Sequence, residues 1–257
     1  MLSVRDLFVQ FKGFEALRGV SLDITPGQWV MLSGPNGAGK SSLIKAVAKA
    51  VPYRGSVRLQ GQDTQRLGAR AMAHRLAVLE QAHAVGYSFT VEQLVALGRY
   101  AHQSPFSHAD PGGRDQVDQA ISQCGLQKQR HQNVLTLSGG ELQRAFLAQV
   151  FAQDAPLLIL DEPASHLDLP FQQAVFSLIA DWLKTPGRAV LSVVHDLLLA
   201  RRYGTHALLL NQGQVVASGD MDAVFTPKNL REAYGMDVGA WFEWLNAPWR
   251  SGQSGGD

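Results

Sequence analysis

Three short stretches carry the residue types that chemistry on phosphates requires. Residues 34–42 read Gly34-Pro35-Asn36-Gly37-Ala38-Gly39-Lys40-Ser41-Ser42, a Gly-x4-Gly-Lys-Ser spacing. Glycines there let backbone N–H groups turn inward around an anion, a following helix N-terminus adds positive potential, and Lys40 brings a full charge to the terminal phosphates. Ser41 is placed to coordinate Mg2+. A glycine-rich turn that matches by chance is the alternative. The second stretch is Leu157-Leu158-Ile159-Leu160-Asp161-Glu162. Its two carboxylates suit a metal ion held through water and an attacking water held in line, although an ordinary strand-to-loop exit has the same composition. The third is Leu137-Ser138-Gly139-Gly140-Glu141, followed by Gln143-Arg144. It reads either as a second anion site of hydroxyl, bare N–H groups and helix dipole, or as a plain serine N-cap with Glu141 closing a capping box.

These residues need elements to hold them. Leu2 to Phe11 and Val20 to Ile24 are rich in β-branched and aromatic residues and are expected as strands, separated by the turn-prone Lys12-Gly13. Gln28 to Leu32 predicts a strand that runs straight into the glycine-rich loop. Leu43, Ala46, Val47 and Ala50 then recur at helical spacing up to Pro52, so the loop joins a strand to a helix. Between about 84 and 155 the texture becomes helical, as in Val91 to Leu97 and Val117 to Cys124. Strands return at Leu157 to Leu160, Ala189 to Val194, Ala207 to Leu210 and Val215 to Ala217, around a helix over Phe171 to Leu183. In a parallel α/β sheet the site lies at the carboxyl ends of the strands, which puts Asp161 and Glu162 beside the loop of Lys40.

Composition narrows the function class. Lys plus Arg total 23 against 22 Asp plus Glu, a balance without the excess of base that nucleic-acid binding favours. Cys124 is the single cysteine and closes no intrachain disulfide, and residues 1–6 lack the apolar core of a secretory signal. The longest apolar runs fall far short of the roughly 20 residues a membrane helix needs. A cytoplasmic location is expected, with residues 251–257 as a disordered Gly- and Ser-rich tail after one unit spanning 1–250.

Leu137 to Arg144 resembles the signature motif of ABC ATPases, and further marks of that family stand in order. Gln81, after Leu76 to Leu79, resembles the Q-loop glutamine; Ser165-His166-Leu167-Asp168 resembles the D-loop; His195 resembles the switch histidine; and Phe11 falls where the family stacks an aromatic ring on adenine. Taken alone, Gln81 could be a solvated strand end, His195 a helix cap and Phe11 core. Phe11 replaces the more usual Tyr, and His166 stands where a small residue is common.

The resemblance implies an α/β P-loop cassette with a RecA-like core, an antiparallel β subdomain and an inserted helical subdomain. It implies ATP and Mg2+ as cofactors. Lys40, Gln81, Glu162 and His195 would then be catalytic, with Ser41, Gln81 and Asp161 at the metal. Residues 34–42, Phe11, Asp168 and, from the facing chain, Ser138, Gly139 and Gly140 would hold nucleotide. The implied partners are a second copy of the chain, two transmembrane permease subunits and, indirectly, a substrate-binding protein, with the cassette peripheral on the cytoplasmic face of the inner (plasma) membrane. No nucleic-acid partner is expected.

A cytosolic ABC ATPase in repair or translation is the competing class, but Lys40 and Ser138 lie only 98 residues apart and one cassette is present. A P-loop kinase or GTPase would leave Leu137 to Arg144 and His195 unexplained. A free-standing cassette favours an importer over an exporter. Within importers, Leu97-Gly98-Arg99-Tyr100-Ala101-His102 and Thr226 to Met236 resemble the ATPases of iron-siderophore, haem and vitamin B12 uptake. The first stretch could instead be a solvated helix-to-loop exit. The roughly 37 residues after Asp220 leave little room for the regulatory domain of sugar importers.

Overall fold

The computed structural model describes residues 1–81, 88–103, 110–165 and 167–250, with side chains through 247. The chain opens with β1 (Leu2–Phe11) and β2 (Phe14–Ile24), an antiparallel hairpin closed by Lys12 and Gly13. Both turn residues have positive φ, 43° and 87°, which is the mirror-image turn whose twist suits a two-residue hairpin. After β3 (Trp29–Ser33) and α1 (Lys40–Val47) come β4 (Arg54–Leu59) and β5 (Gln62–Asp63). β1, β2, β4 and β5 form a four-stranded antiparallel sheet in the order β2-β1-β4-β5.

Next come α2 (Ala69–Ala73) and β6 (Leu76–Leu79), then the helices α3 (Val91–Leu97), α4 (Gly113–Gln123) and α5 (Gly139–Ala152). The chain returns through β7 (Leu157–Asp161), α6 (Leu169–Leu183), β8 (Ala189–Val193), α7 (Leu197–Tyr203), β9 (His206–Asn211) and β10 (Gln214–Asp220). It ends in α8 (Met221–Val224), α9 (Pro227–Tyr234) and α10 (Val238–Arg250). The second sheet runs β10-β9-β3-β8-β7-β6, parallel except for the antiparallel edge strand β10.

Both faces of that sheet are covered, so its central strands are continuous apolar runs rather than alternating ones. Trp29, Met31, Leu158, Leu160 and Val190 face a core shared with α3, α4, α5 and α6. Val30, Leu32, Leu157, Ile159 and Leu191 point the other way, into a core shared with α1 and the antiparallel sheet. Period-2 alternation along each strand thus builds two cores on opposite sides of one sheet.

The expected strands and helices are present with shifted ends. β2 begins at Phe14 rather than Val20, and α1 ends at Val47, with Lys49 at φ 60° beyond it. β4 was not expected: only Val57 and Leu59 of Arg54–Leu59 are buried, so it carries no apolar run. α10 was likewise unanticipated. The expected disordered tail and His166 lie outside the described residues.

In the Gly98 to His102 stretch Arg99 is buried and Tyr100 is exposed, so the stretch is more than a solvated helix-to-loop exit. Gly98 packs so closely that a Cβ there would lie 2.1 Å from the Gln149 carbonyl oxygen in α5. Arg99 is buried: Nε and Nη2 donate to the two Asp110 carboxylate oxygens at 2.8 and 3.0 Å, and Nη1 donates to the Ala152 carbonyl at 2.9 Å. His102 Nε2 donates to the Gln153 carbonyl at 2.8 Å. A cation and an imidazole therefore cap the carbonyls at the C-terminal end of α5, where the helix dipole is negative. Gln153 in turn donates to the Ala73 and Leu76 carbonyls, tying α5 to the start of β6. Removing Arg99 strands a partly buried carboxylate and a helix-end carbonyl together. Arg99→Ala is expected to lower stability by about 3 kcal/mol, read as a lower midpoint in urea unfolding; an unchanged midpoint would show that the pair contributes nothing net.

Candidate functional site

The glycine-rich loop leaves β3 and enters α1 in a conformation that few side chains could share. Gly34 has φ 147°, and a Cβ on it would lie 2.1 Å from the Leu210 carbonyl oxygen; Gly39 has φ 104° and abuts the Ala16 carbonyl. Gly39 is also the N-cap of α1, where no side chain caps the helix and no acid stands in the first turn. The first N–H groups of α1 and their dipole are left for an anion. Lys40 is 7% exposed, and its Nζ donates to the carbonyls of Gly34 and Pro35 at 2.7 and 3.0 Å. Burial lowers its pKa, opposed by the negative charges of Glu162 and Asp161.

Across the sheet edge, β7 ends at Asp161 and the chain turns at Glu162 with φ 52°, a left-handed conformation that few non-glycine residues adopt. Its N–H donates to the Val193 carbonyl. The Glu162 carboxylate is held at both oxygens: Gln81 Nε2 donates to Oε2 at 2.8 Å, and His195 Nε2 lies 2.7 Å from Oε1. Burial pushes the pKa of Asp161 up, the neighbouring Glu162 charge adds to this, and Lys40 and Lys45 oppose it. Two carboxylates thus share a partly desolvated corner with one ammonium.

The loop lines an open pocket of about 280 Å3. Asn36 to Ser42, Glu162 and His195 line it together with Phe11, Phe14 and Ala16. The expected residues Phe11, Asn36, Gly37, Ala38, Gly39, Lys40, Ser41, Ser42, Glu162 and His195 therefore come together, with Gln81 joined to them through Glu162. Phe14 was missed, although the two-residue turn Lys12-Gly13 places it directly opposite Phe11.

Ser138, Gly139, Gly140 and Asp168 do not line this pocket. Ser138 is the N-cap of α5 and makes the full capping box: its N–H and hydroxyl donate to Glu141 Oε2 at 2.9 and 2.8 Å. Those bonds hold the Glu141 carboxyl below its usual range. Gly139 stands open, whereas a Cβ on Gly140 would meet the Phe171 ring at 2.6 Å. Asp168 is an exposed N-cap of α6 whose carboxylate makes no capping bond. Gln143 Nε2 donates to the Pro163 carbonyl at 2.6 Å, linking α5 to the turn that carries Glu162. His166 lies outside the described residues.

The ABC transporter family profile matches residues 17–165, more than half of the chain. The chain is 39% identical over 244 residues to a hemin import ATP-binding protein, HmuV, of Pseudomonas entomophila, covering 93% of this chain and 94% of that protein. It is 33% identical to the ferric enterobactin transport ATP-binding protein FepC of Escherichia coli, over 87% of this chain and 83% of FepC. It is 37% identical to a cobalamin import ATP-binding protein, BtuD, of Halobacterium salinarum, over 91% of this chain but only 58% of BtuD's length. Among solved structures, cbiO1 of Clostridium perfringens, part of the ABC transporter complex cbiONQ, superposes with a TM-score of 0.78 at 22% identity, over 95% of this chain and 98% of that one, a likeness of fold. The chain belongs to the ABC transporter family.

Proposed function

We propose that this chain is the ATP-hydrolysing subunit of an ABC importer, working as a dimer beneath two permease subunits fed by a substrate-binding protein, with a metal chelate as cargo. The observation that carries the ATPase reading is the gathering of Lys40, Glu162 and His195, with Gln81 bonded to Glu162, at one pocket that Phe11 also lines. In this reading Lys40 leaves the loop carbonyls for the terminal phosphates, residues 34–42 donate backbone N–H groups, and Phe11 stacks on the base. Glu162 accepts the proton of the attacking water, while Gln81 and His195 hold its carboxylate and sense the γ-phosphate. Catalysis is positioning and charge stabilisation.

Mg2+ fits the donors present. Asp161 is a carboxylate in a corner with excess negative charge, Ser41 offers an exposed hydroxyl at the start of α1, and Gln81 stands beside Glu162. Among the described residues no group of three or more His, Cys, Asp or Glu side chains is placed to hold a metal. The ion would therefore arrive with nucleotide oxygens and neutralise phosphate charge there.

The dimer reading is supported by the separation of the Ser138–Gly140 turn from the chain's own pocket. The turn, with Asp168, would close over nucleotide held by the facing copy. The importer reading is supported by relatives named for hemin, ferric enterobactin and cobalamin import. Peripheral attachment at the cytoplasmic face of the membrane fits the absence, among the described residues, of any helix long and apolar enough to cross a membrane.

Glu162→Gln keeps the shape of the side chain and removes its basicity, so it should retain ATP and lower turnover by at least a hundredfold in a steady-state phosphate-release assay. Turnover near the parental rate would remove Glu162 from that role. Ser138→Arg and Lys40→Ala should each abolish hydrolysis, yet a mixture should recover part of it, because one composite site of the heterodimer carries neither lesion. Wild-type turnover by a demonstrable monomer would refute the shared site. For cargo, a strain lacking the gene should grow poorly on at least one of scarce ferric siderophore, haem or cobalamin and recover when the gene is restored; unimpaired uptake of all three, with no second transporter, would overturn the chelate assignment.

A further inference from the structure

The N-terminal end of α5 has two attachments. Ser138 caps it ahead of Gly139 and Gly140, and about a turn further on Gln143 Nε2 donates to the Pro163 carbonyl at 2.6 Å. Pro163 is buried and directly follows Glu162; having no N–H, it can be anchored through its backbone only at that carbonyl. Glu162 itself stands at φ 52°. Such a conformation costs a non-glycine residue free energy and persists only where neighbours fix it. The sheet and the turn itself supply some of these: the Val193 carbonyl accepts the Glu162 N–H at 3.2 Å, and the Ser165 N–H and hydroxyl donate to the Glu162 carbonyl, each at 3.1 Å. Gln143 supplies another from α5. The same end of α5 is clamped to α6, because Gly140 leaves no room for a Cβ against the Phe171 ring and the Arg144 guanidinium lies 5.8 Å from the centre of that ring. Gln143 does not line the nucleotide pocket.

We infer that Gln143 is a positioning residue for Glu162, holding its turn from α5, so that the helix which offers Ser138–Gly140 to the facing copy also sets the base of its own chain. Backbone hydrogen bonds make a helix stiff over its length, so Ser138 and Gln143 move as one piece. When α5 shifts, the Pro163 carbonyl either follows or loses its donor. A lost donor leaves a buried carbonyl unpaired and lets the strained turn relax, and an in-line attack tolerates little displacement of the group that holds the water. On the proposed dimer, with Glu162 as base, Gln143 thus makes one nucleotide site depend on the clasp of the other, a role that rests on both of those readings. Acting through the backbone and outside the pocket, it governs turnover and not ATP affinity.

The test compares the full chain with Gln143→Leu, which keeps the bulk and removes the donor. Gln143→Leu should bind ATP at the wild-type stoichiometry and within about twofold of the wild-type affinity, while kcat for phosphate release falls by roughly tenfold. Heterodimers with Lys40→Ala, whose own site is dead, then locate the lesion. With Gln143→Leu in the chain that holds the live nucleotide, turnover should fall as in the homodimer. With Gln143→Leu in the Lys40→Ala chain, which supplies only the clasp, turnover should match that of wild type paired with Lys40→Ala. Wild-type kcat in the Gln143→Leu homodimer overturns the role, and so does a loss that follows the clasp chain or both chains equally. Should Gln143→Leu bind ATP at lowered stoichiometry, as a misfolded chain would, the nearly isosteric Gln143→Glu decides. Its carboxylate cannot donate to a carbonyl, so its kcat relative to wild type should be low at about pH 8 and rise as the carboxyl protonates; a ratio that stays flat with pH overturns the role. Wild-type chain that hydrolyses no ATP refutes the nucleotide reading itself, and turnover by a demonstrable monomer refutes the dimer, results distinct from all of these.

Discussion

In the parallel sheet Leu79 lies beside Leu160, Asp161 beside Val193, and Val193 beside Leu32. β6, β7, β8 and β3 are neighbours in that order, so their carboxyl ends share one edge. Gln81, two residues beyond Leu79, therefore stands level with Glu162, two beyond Leu160, and the bond between them follows from register. His195 reaches the same carboxylate from the end of β8, and β3 feeds the loop that places Lys40. A slip of one residue would turn every side chain to the opposite face. The two cores prevent it, because Leu158 and Leu160 belong to one and Leu157 and Ile159 to the other.

Onto that frame the chain adds charge it does not balance alone. Asp161 and Glu162 together oppose one buried ammonium, and Lys40 spends its donors on the carbonyls of Gly34 and Pro35. Burial shifts Lys40 down and Asp161 up, each toward its neutral form. Such a corner favours a ligand that brings both signs of charge, and on the proposed reading a nucleotide triphosphate with its divalent ion would do so, with phosphate oxygens for Lys40 and a cation for Asp161. Glu162 sits in a left-handed conformation with both oxygens engaged, strain that the surrounding contacts hold in place.

The sequence was most legible where one residue type has one use. The spacing of Gly34, Gly39 and Lys40 implies its backbone, and continuous apolar runs identify β3, β7 and β8. What escaped was relational. Phe14 is meaningful only once the register of the hairpin pairs it with Phe11. β4 alternates polar and apolar residues toward its end and offers no apolar run to read. Arg99 was the reverse case: a charged residue followed by a polar stretch suggests solvent, and only the approach of α5 to Gly98 reveals that its guanidinium is buried against Asp110 and Ala152. Long-range packing of this kind has no local signature.

The turn at Ser138 shows how a stabilising cap and a ligand site constrain each other. The sequence allowed either a capping box or an anion site, and the capping box is made. Its cost to anion binding is specific: the Glu141 carboxylate already occupies the N-terminus of α5, taking up the Ser138 N–H and hydroxyl. A free phosphate would have to displace it and would meet its charge. A triphosphate already held by the Lys40 and metal site of another chain does not depend on this turn for neutralisation. It needs only shape and hydrogen bonds, for which Gly139 is open and Gly140 lies close against Phe171. On the proposed dimer, the self-capped turn is therefore a poor nucleotide site by itself and a serviceable clasp for nucleotide bound elsewhere, which makes closure depend on a loaded partner.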